Sequence, residues 1–366
     1  MKWILLIGLI FYWNCGFAQK ILEQRTLSTS LIYHHGLSVP KTPELNYIIQ
    51  DKLSAKEIKI GFHPNPNKSW INQYSVSEIG IAYYQGPLGS DEVLGEINSI
   101  YPYITFRLSN WKNLNLFTSI GTGIGIVSKS FHPVENYANK LIGSKYNAHV
   151  NLNFQLKYEL DPFNLIGGIY FSHISNGSTK HPNSGFNYIT SNIGVSIDWG
   201  KRKKIRKVDI LYPKLDNEFF FISNHAFKEK SANDPHTYYV SNLSTGYLWG
   251  INSKQRLGFG IDLFYDESIN RGDWNLSPET DFENRIYQGI FIGHDFVFSR
   301  LSFSAQVGVY TYYQSKPASS SLYNRLAFRY KINKHLLINL GLKAYLDQSD
   351  YIEFGIGYYF NKTKKS

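Results

Sequence analysis

A serine hydroxyl is a poor nucleophile until a base removes its proton, and the base needs a third group to fix its tautomer. Residues 171–187 hold all three kinds of group: Phe-Ser-His-Ile-Ser-Asn-Gly-Ser-Thr-Lys-His-Pro-Asn-Ser-Gly-Phe-Asn. On a strand, His173 and Ser175 share a face at about 7 Å between Cα atoms, close enough for their side-chain tips to converge. Asn187 begins the next apolar run. A hairpin centred on His181 would pair Ser175 with Asn187 and His173 with Ile189, bringing an imidazole, a hydroxyl and an amide together. Taken alone, a His-x-Ser spacing arises readily by chance. Two polar residues at the end of a strand, in the interfacial zone, are the readier account of it.

The elements that must position these residues show in the period-two alternation. From Tyr146 to Leu160 the even positions read Tyr, Ala, Val, Leu, Phe, Leu, Tyr, Leu, while the odd positions are polar. A pleated strand sorts residues in that way and a helix does not. Leu165, Ile169 and Phe171 lead into His173 and Ser175, and Ile189, Ile193, Val195 and Ile197 follow Asn187. The three polar residues therefore sit at one end of stripes that are otherwise apolar. Similar stripes recur at Leu257–Leu263, Leu301–Val309, Leu336–Ala344 and Ile352–Phe360. About sixteen such segments lie between residues 26 and 360, with turn-forming residues clustered at 109–114, 161–163, 251–255 and 346–350.

Composition narrows the class. Charged residues make up 18% and aromatic residues 16% of the 366 residues, which excludes disordered and coiled-coil chains. Lys2, the apolar run Trp3–Trp13 and the small-x-small triplet Gly16-Phe17-Ala18 read as a secretory signal peptide, residues 1–18. The one Met (Met1) and the one Cys (Cys15) fall inside it, so thiol chemistry is not expected of the mature protein. Beyond the signal no run of eighteen apolar residues exists, which argues against helical membrane spans. An exported chain of alternating strands, several longer than ten residues and rich in aromatics at their ends, is predicted to be all-β: an antiparallel transmembrane β-barrel of about 16 strands.

The string His173-Ile174-Ser175-Asn176-Gly177, then Lys180, Pro182-Asn183, Gly185 and Asn187, resembles the outer-membrane lipid A 3-O-deacylase family (PagL type, acyloxyacyl hydrolase-like). The match is dense over about residues 165–199, with a weaker echo at Ile142–Asn147. That resemblance implies a barrel hydrolase removing an ester-linked acyl chain from the lipid A part of lipopolysaccharide, through a Ser–His–Glu triad and without metal or cofactor. It implies that Ser175 is the nucleophile, His173 the general base and Asn176 the oxyanion-hole residue. Where the family places its acid this chain has Asn187, which can orient an imidazole but cannot stabilise the imidazolium by charge. The family's founding members are eight-stranded and about half this length. The organisation is thus expected to be a deacylase-like part over 19–200, a basic connection over 201–215 and C-terminal strands over 216–366. One enlarged barrel is favoured for the strands. The alternative is an eight-stranded deacylase-like barrel followed by a second β unit.

Other constellations carry less. Six basic residues crowd 201–207, a pattern usual for a solvated connection and capable of meeting anionic headgroups. No nucleic-acid motif accompanies them. The 11 His residues include no His-x-His or His-Glu-x-x-His site, so metal catalysis has little support. Asp266, Glu267, Asp273, Glu279, Asp281 and Glu283 suggest an acidic loop able to hold a divalent cation, although such residues more often solvate a loop. His181 reads as exposed and incidental. The expectation is a serine esterase of the outer membrane, with lipopolysaccharide as substrate and membrane lipids as surroundings. Against it stand a non-catalytic barrel, porous or structural, and an adhesin resting on long polar loops.

Overall fold

The computed structural model describes residues 27–39, 47–49, 52–109, 111–200, 212–269, 282–315, 320–346 and 348–361. The signal-peptide segment, the basic run 201–207 and Asp273, Glu279 and Asp281 lie outside them.

Sixteen strands make up almost all of what is described: β1 Leu27–Ser38, β2 Leu53–Phe62, β3 Val76–Pro87, β4 Glu96–Arg107, β5 Leu114–Val127, β6 Tyr146–Leu160, β7 Phe163–Ser175, β8 Phe186–Trp199, β9 Glu218–Ser231, β10 Asp234–Gly250, β11 Gln255–Asp266, β12 Ile286–Phe298, β13 Leu301–Tyr313, β14 Leu322–Lys331, β15 Leu336–Tyr345 and β16 Gln348–Asn361. A five-residue helix, α1 (Ser69–Gln73), sits between β2 and β3, and a 3-10 turn, Phe282–Arg285, precedes β12. No helix among the described residues is long and apolar enough to cross a membrane.

The strand count and the all-β class agree with the sequence, but the closure differs from the favoured reading. The strands form two closed eight-stranded barrels, β1–β8 and β9–β16, rather than one of sixteen. β1 turns back on β8, from Leu27 opposite Trp199 to Ser38 opposite Tyr188. β16 closes on β9, with Phe354 opposite His225 and Asn361 opposite Glu218. Period-two alternation fixes which way each side chain points. It carries no information about which strands meet to close a barrel.

The chain divides into two compact units. The first holds most of β1–β8, and the second joins Ser130–Ser144 and Ser175–Gly185 to Ile210–Ser366.

In the first barrel the alternation sorts as expected. Leu31, Ile60, Ile100, Leu165 and Ile193 are exposed on the outer wall. Asn147, His149, Asn151, Asn153, Gln155 and Lys157 of β6 are buried inside. His34 joins Glu57 (Nε2–Oε2 3.1 Å) to Thr190 (Nδ1–Oγ1 3.2 Å). Tyr101 donates to Glu57 and meets Tyr170 at 3.2 Å. An eight-stranded barrel is just wide enough for side chains to fill, and these fill it.

The second barrel buries an apolar and aromatic cluster, with Phe220, Phe264, Tyr287 and Tyr323 among its members, together with a network of charges. Lys228 Nζ lies 2.7 Å from Asp266 and 2.7 Å from Asp350, and Lys343 Nζ lies 2.7 Å from the other Asp350 oxygen. Asp266 also accepts from the Ser268 hydroxyl at 2.6 Å. So the first acidic residue assigned to a solvated loop points inward and is paired. Glu267 instead accepts the Tyr239 backbone N–H at 3.0 Å, and Glu283 accepts from Gln314 at 3.3 Å. Arg325 donates to both oxygens of Asp262 at 3.2 Å, to Gln306 at 3.0 Å and to Asn242 at 3.1 Å. Glu353 Oε1 lies 2.9 Å from Arg325 Nε as an ion pair outside hydrogen-bond angles.

Removing one partner of such a network leaves the opposite charge buried and unmatched, at a cost of about 3–5 kcal/mol. Arg325→Met is expected to destabilise the second barrel by that amount in urea unfolding, while Arg325→Met with Asp262→Asn and Glu353→Gln recovers part of it. Equal midpoints for wild type and Arg325→Met would contradict this account.

Candidate active site

β7 delivers the candidate residues because its outer row runs Leu165, Ile169 and Phe171, all exposed, before His173 and Ser175. The outer row of β8 starts with Asn187, its second residue, and continues through Ile189, Ile193 and Val195, also exposed. The register places His173 opposite Asn187 and Ile174 opposite Phe186. The hairpin is therefore centred on Lys180, and the pairing differs by two residues from the one expected. A shift of two keeps every side chain on its face, so the apolar pattern fits either register equally well. The observed one favours the chemistry, since it sets the imidazole directly across from the amide.

Asn187 Oδ1 lies 2.7 Å from His173 Nδ1. With a carbonyl oxygen as acceptor, Nδ1 carries the proton and Nε2 keeps its lone pair. Ser175, 8% exposed, ends β7 and is held by the loop that follows it. Its Oγ accepts the Gly177 N–H at 3.1 Å and the Asn183 Nδ2 amide at 2.9 Å, and it donates to Asn183 Oδ1 at 3.2 Å. β7 passes from the first compact unit to the second between Ile174 and Ser175, so His173 and Ser175 are related by strand spacing on one face.

Asn176, expected at the oxyanion hole, directs its side chain into the loop. Both of its amide hydrogens are engaged, one with Ser144 Oγ at 3.0 Å and one with the Lys180 carbonyl at 2.9 Å. Its side chain closes the loop, and its backbone N–H donates to Asn183 Oδ1 at 3.2 Å. The amide nitrogen beside Ser175 Oγ belongs to Asn183. No local pattern marks Asn183 for such a role, since an Asn after Pro in a loop is sufficiently explained as a turn former.

The segment echoed at Ile142–Asn147 meets the motif. Besides the Ser144 bond, Gly143 lies against the 181–182 backbone, where an added Cβ would stand 2.5 Å from the Pro182 carbonyl oxygen. Only glycine allows that approach.

His181 is half-buried, not exposed: its backbone N–H donates to Glu229 Oε2 at 2.8 Å. Burial holds its imidazole below the ordinary value, against the opposite pull of the Glu229 carboxylate. Glu159 pairs with Arg107 at 3.1 Å, at the far end of β6 from the motif. Ser172 Oγ, beside the motif, does meet an imidazole, His149 Nε2 at 2.6 Å, but both residues are wholly buried inside the first barrel. No group of His, Cys, Asp and Glu suited to a metal ion occurs among the described residues.

Residues 56–196, which contain this site, match the family described as lipid A 3-O-deacylase (PagL). Residues 217–362 match the acyloxyacyl hydrolase C-terminal domain. The chain belongs to the PagL-type family. The first match runs from Lys56 in β2 to Ser196 in β8, and the second covers the strands of the second barrel. No curated protein matches the chain significantly. Among solved structures it is similar to neisserial surface protein A (10% identity, 48% of this chain and 97% of that one, TM-score 0.33). It is also similar to a Rh. blastica porin variant (10%, 92% and 100%, TM-score 0.18) and to the siderophore receptor PirA from Acinetobacter baumannii (10%, 87% and 43%, TM-score 0.24).

Proposed function

We propose that the protein is an outer-membrane serine esterase that removes an ester-linked acyl chain from lipid A or a closely related acylated lipid. The observation that carries this reading is the 2.7 Å contact between His173 Nδ1 and Asn187 Oδ1, which leaves Nε2 free to act as base on the outer face shared with Ser175. The outward position suits the substrate. Lipid tails would lie along Leu165, Ile169 and Phe171, and the scissile ester would meet the polar end of the row.

The chemistry runs as an acyl transfer. Ser175 turns from its Asn183 acceptor towards His173, whose Nε2 takes the hydroxyl proton as Oγ attacks the ester carbonyl. The oxyanion forms near the donors already gathered at Oγ, the Asn183 amide N–H and the Gly177 backbone N–H. Collapse expels the alcohol, which receives the proton from His173, and leaves the acyl group on Ser175. Water, deprotonated by His173, then releases the fatty acid and restores the serine. Asn187 holds the imidazole's tautomer throughout, as the Asn of Cys-His-Asn proteases does.

The barrel interiors speak against the pore reading. A sixteen-stranded barrel could enclose an aqueous channel, but both interiors are eight-stranded and occupied by buried side chains. Incubating the reconstituted protein with lipopolysaccharide should release free fatty acid. The lipid A mass should fall by one acyl chain, both read by mass spectrometry. Release no greater than in protein-free vesicles would sink the esterase reading.

A further inference from the structure

The second compact unit contains the loop Ser175–Gly185 together with the whole of β9–β16. Within it the loop rests on three points. Gly177, at φ +63°, lies so close to β15 and β16 that an added Cβ would stand 2.4 Å from Ile352 Cγ1 and 3.3 Å from Leu342 Cδ1. The His181 backbone N–H donates to Glu229, near the end of β9. The third point is Ser349, second residue of β16.

Ser349 is bonded on both sides of the loop. Ser178 Oγ donates to the Ser349 carbonyl at 2.8 Å and lies 2.9 Å from Ser349 Oγ. Asn183 Nδ2 lies 3.3 Å from the same Ser349 Oγ. The hydroxyl directions follow from these bonds. With the Ser178 proton spent on a carbonyl, the Ser349 hydroxyl must donate to Ser178 Oγ, and its lone pair is left to accept from Asn183. That fixes which end of the Asn183 amide is nitrogen. One Asn183 hydrogen goes to Ser349 and the other to Ser175 Oγ, while Oδ1 takes the Asn176 backbone N–H.

We propose that Ser349 is a positioning residue for the esterase site: it holds the Asn183 amide with its N–H, and not its carbonyl, towards Ser175. This rests on the esterase reading above. It also gives the C-terminal strands a function, since the residue that orients the donor comes from β16. Ser349 touches neither substrate nor the attacking oxygen and acts only through Asn183.

The test uses the full chain in lipid, with folded protein counted by heat-modifiable migration on gels. Rates are those of acyl release from lipopolysaccharide. Removing one oxyanion donor costs about 10²–10³ in kcat, and releasing its orientation should cost roughly ten- to a hundredfold. Ser349→Ala is therefore expected to lower kcat by that factor per folded molecule with KM unchanged, and Ser178→Ala to fall in the same direction. Ser349→Thr, which keeps the hydroxyl, should stay near the wild-type rate. If Ser349→Ala matches wild type per folded molecule while Ser175→Ala is inactive, the esterase reading survives and the positioning role is overturned. A loss confined to the folded fraction, or to KM, overturns it as well. Wild type no faster than Ser175→Ala would remove both.

Discussion

Alanine at Ser175 or at His173 is expected to lower acyl release from lipopolysaccharide by on the order of 10³- to 10⁵-fold, and the double variant is expected to fall no further. In the proposed mechanism the two residues act as a unit, since neither attack nor proton transfer would proceed without the other. Where a complete charged triad is present, removing either of these members costs about 10⁶ in kcat. With an amide in place of the acid, the proposed site is expected to start from a lower rate, and the drop to be correspondingly smaller. A residual rate should persist from the donors at Gly177 and Asn183, which neither substitution removes. Fatty acid released per folded molecule is the measurement. A single variant within about tenfold of wild type would exclude Ser175 and His173 from the chemistry.

Asn187→Glu is expected to act in the opposite direction, raising the rate by roughly ten- to a thousandfold. In the serine proteases, the reverse change of acid to amide costs about 10⁴, largely through the wrong tautomer. The tautomer is already correct in this protein, because Asn187 presents its oxygen to Nδ1 at 2.7 Å. What remains to be gained is the charge that would stabilise the imidazolium formed when Ser175 loses its proton. Asn187→Asp serves as the control for side-chain length, since glutamate is longer by one methylene. Asn187→Ala should be slower than wild type, through loss of the orienting bond. If neither carboxylate variant exceeds wild type, the amide is not standing in for an acid and the role given to Asn187 is lost.

Much of this was legible in the residues, and for a physical reason. Inside-out sorting is a period-two property, so β6 could be read residue by residue, with Asn147 to Lys157 inward and Val150, Phe154 and Leu156 outward. The same rule placed His173, Ser175 and Asn187 on one outer face. Closure, register and loop contacts are another matter. They depend on pairings that alternation leaves degenerate, which is why the two-barrel closure and the Lys180-centred hairpin departed from the favoured expectations. Asn183 and Ser349 lie 166 positions apart, and no local pattern marks either as the other's partner. Asp266 shows the converse failure. An acidic pair at a strand end looks solvated until a lysine from another strand is found opposite it.

The filled interior of the first barrel has a kinetic meaning. Ser175 and His173 stand on the outer face, and the inside of the wall is packed with Glu57, Tyr101, His149 and Tyr170. On the proposed function, a lipid substrate would therefore arrive sideways, by diffusion within the leaflet, and its product would leave by the same route. The concentration that governs such an enzyme is the mole fraction of substrate in the surface around it. Diluting the substrate lipid with an inert one at constant bulk amount slows the reaction, whereas adding more vesicles of the same composition does not speed it per enzyme molecule.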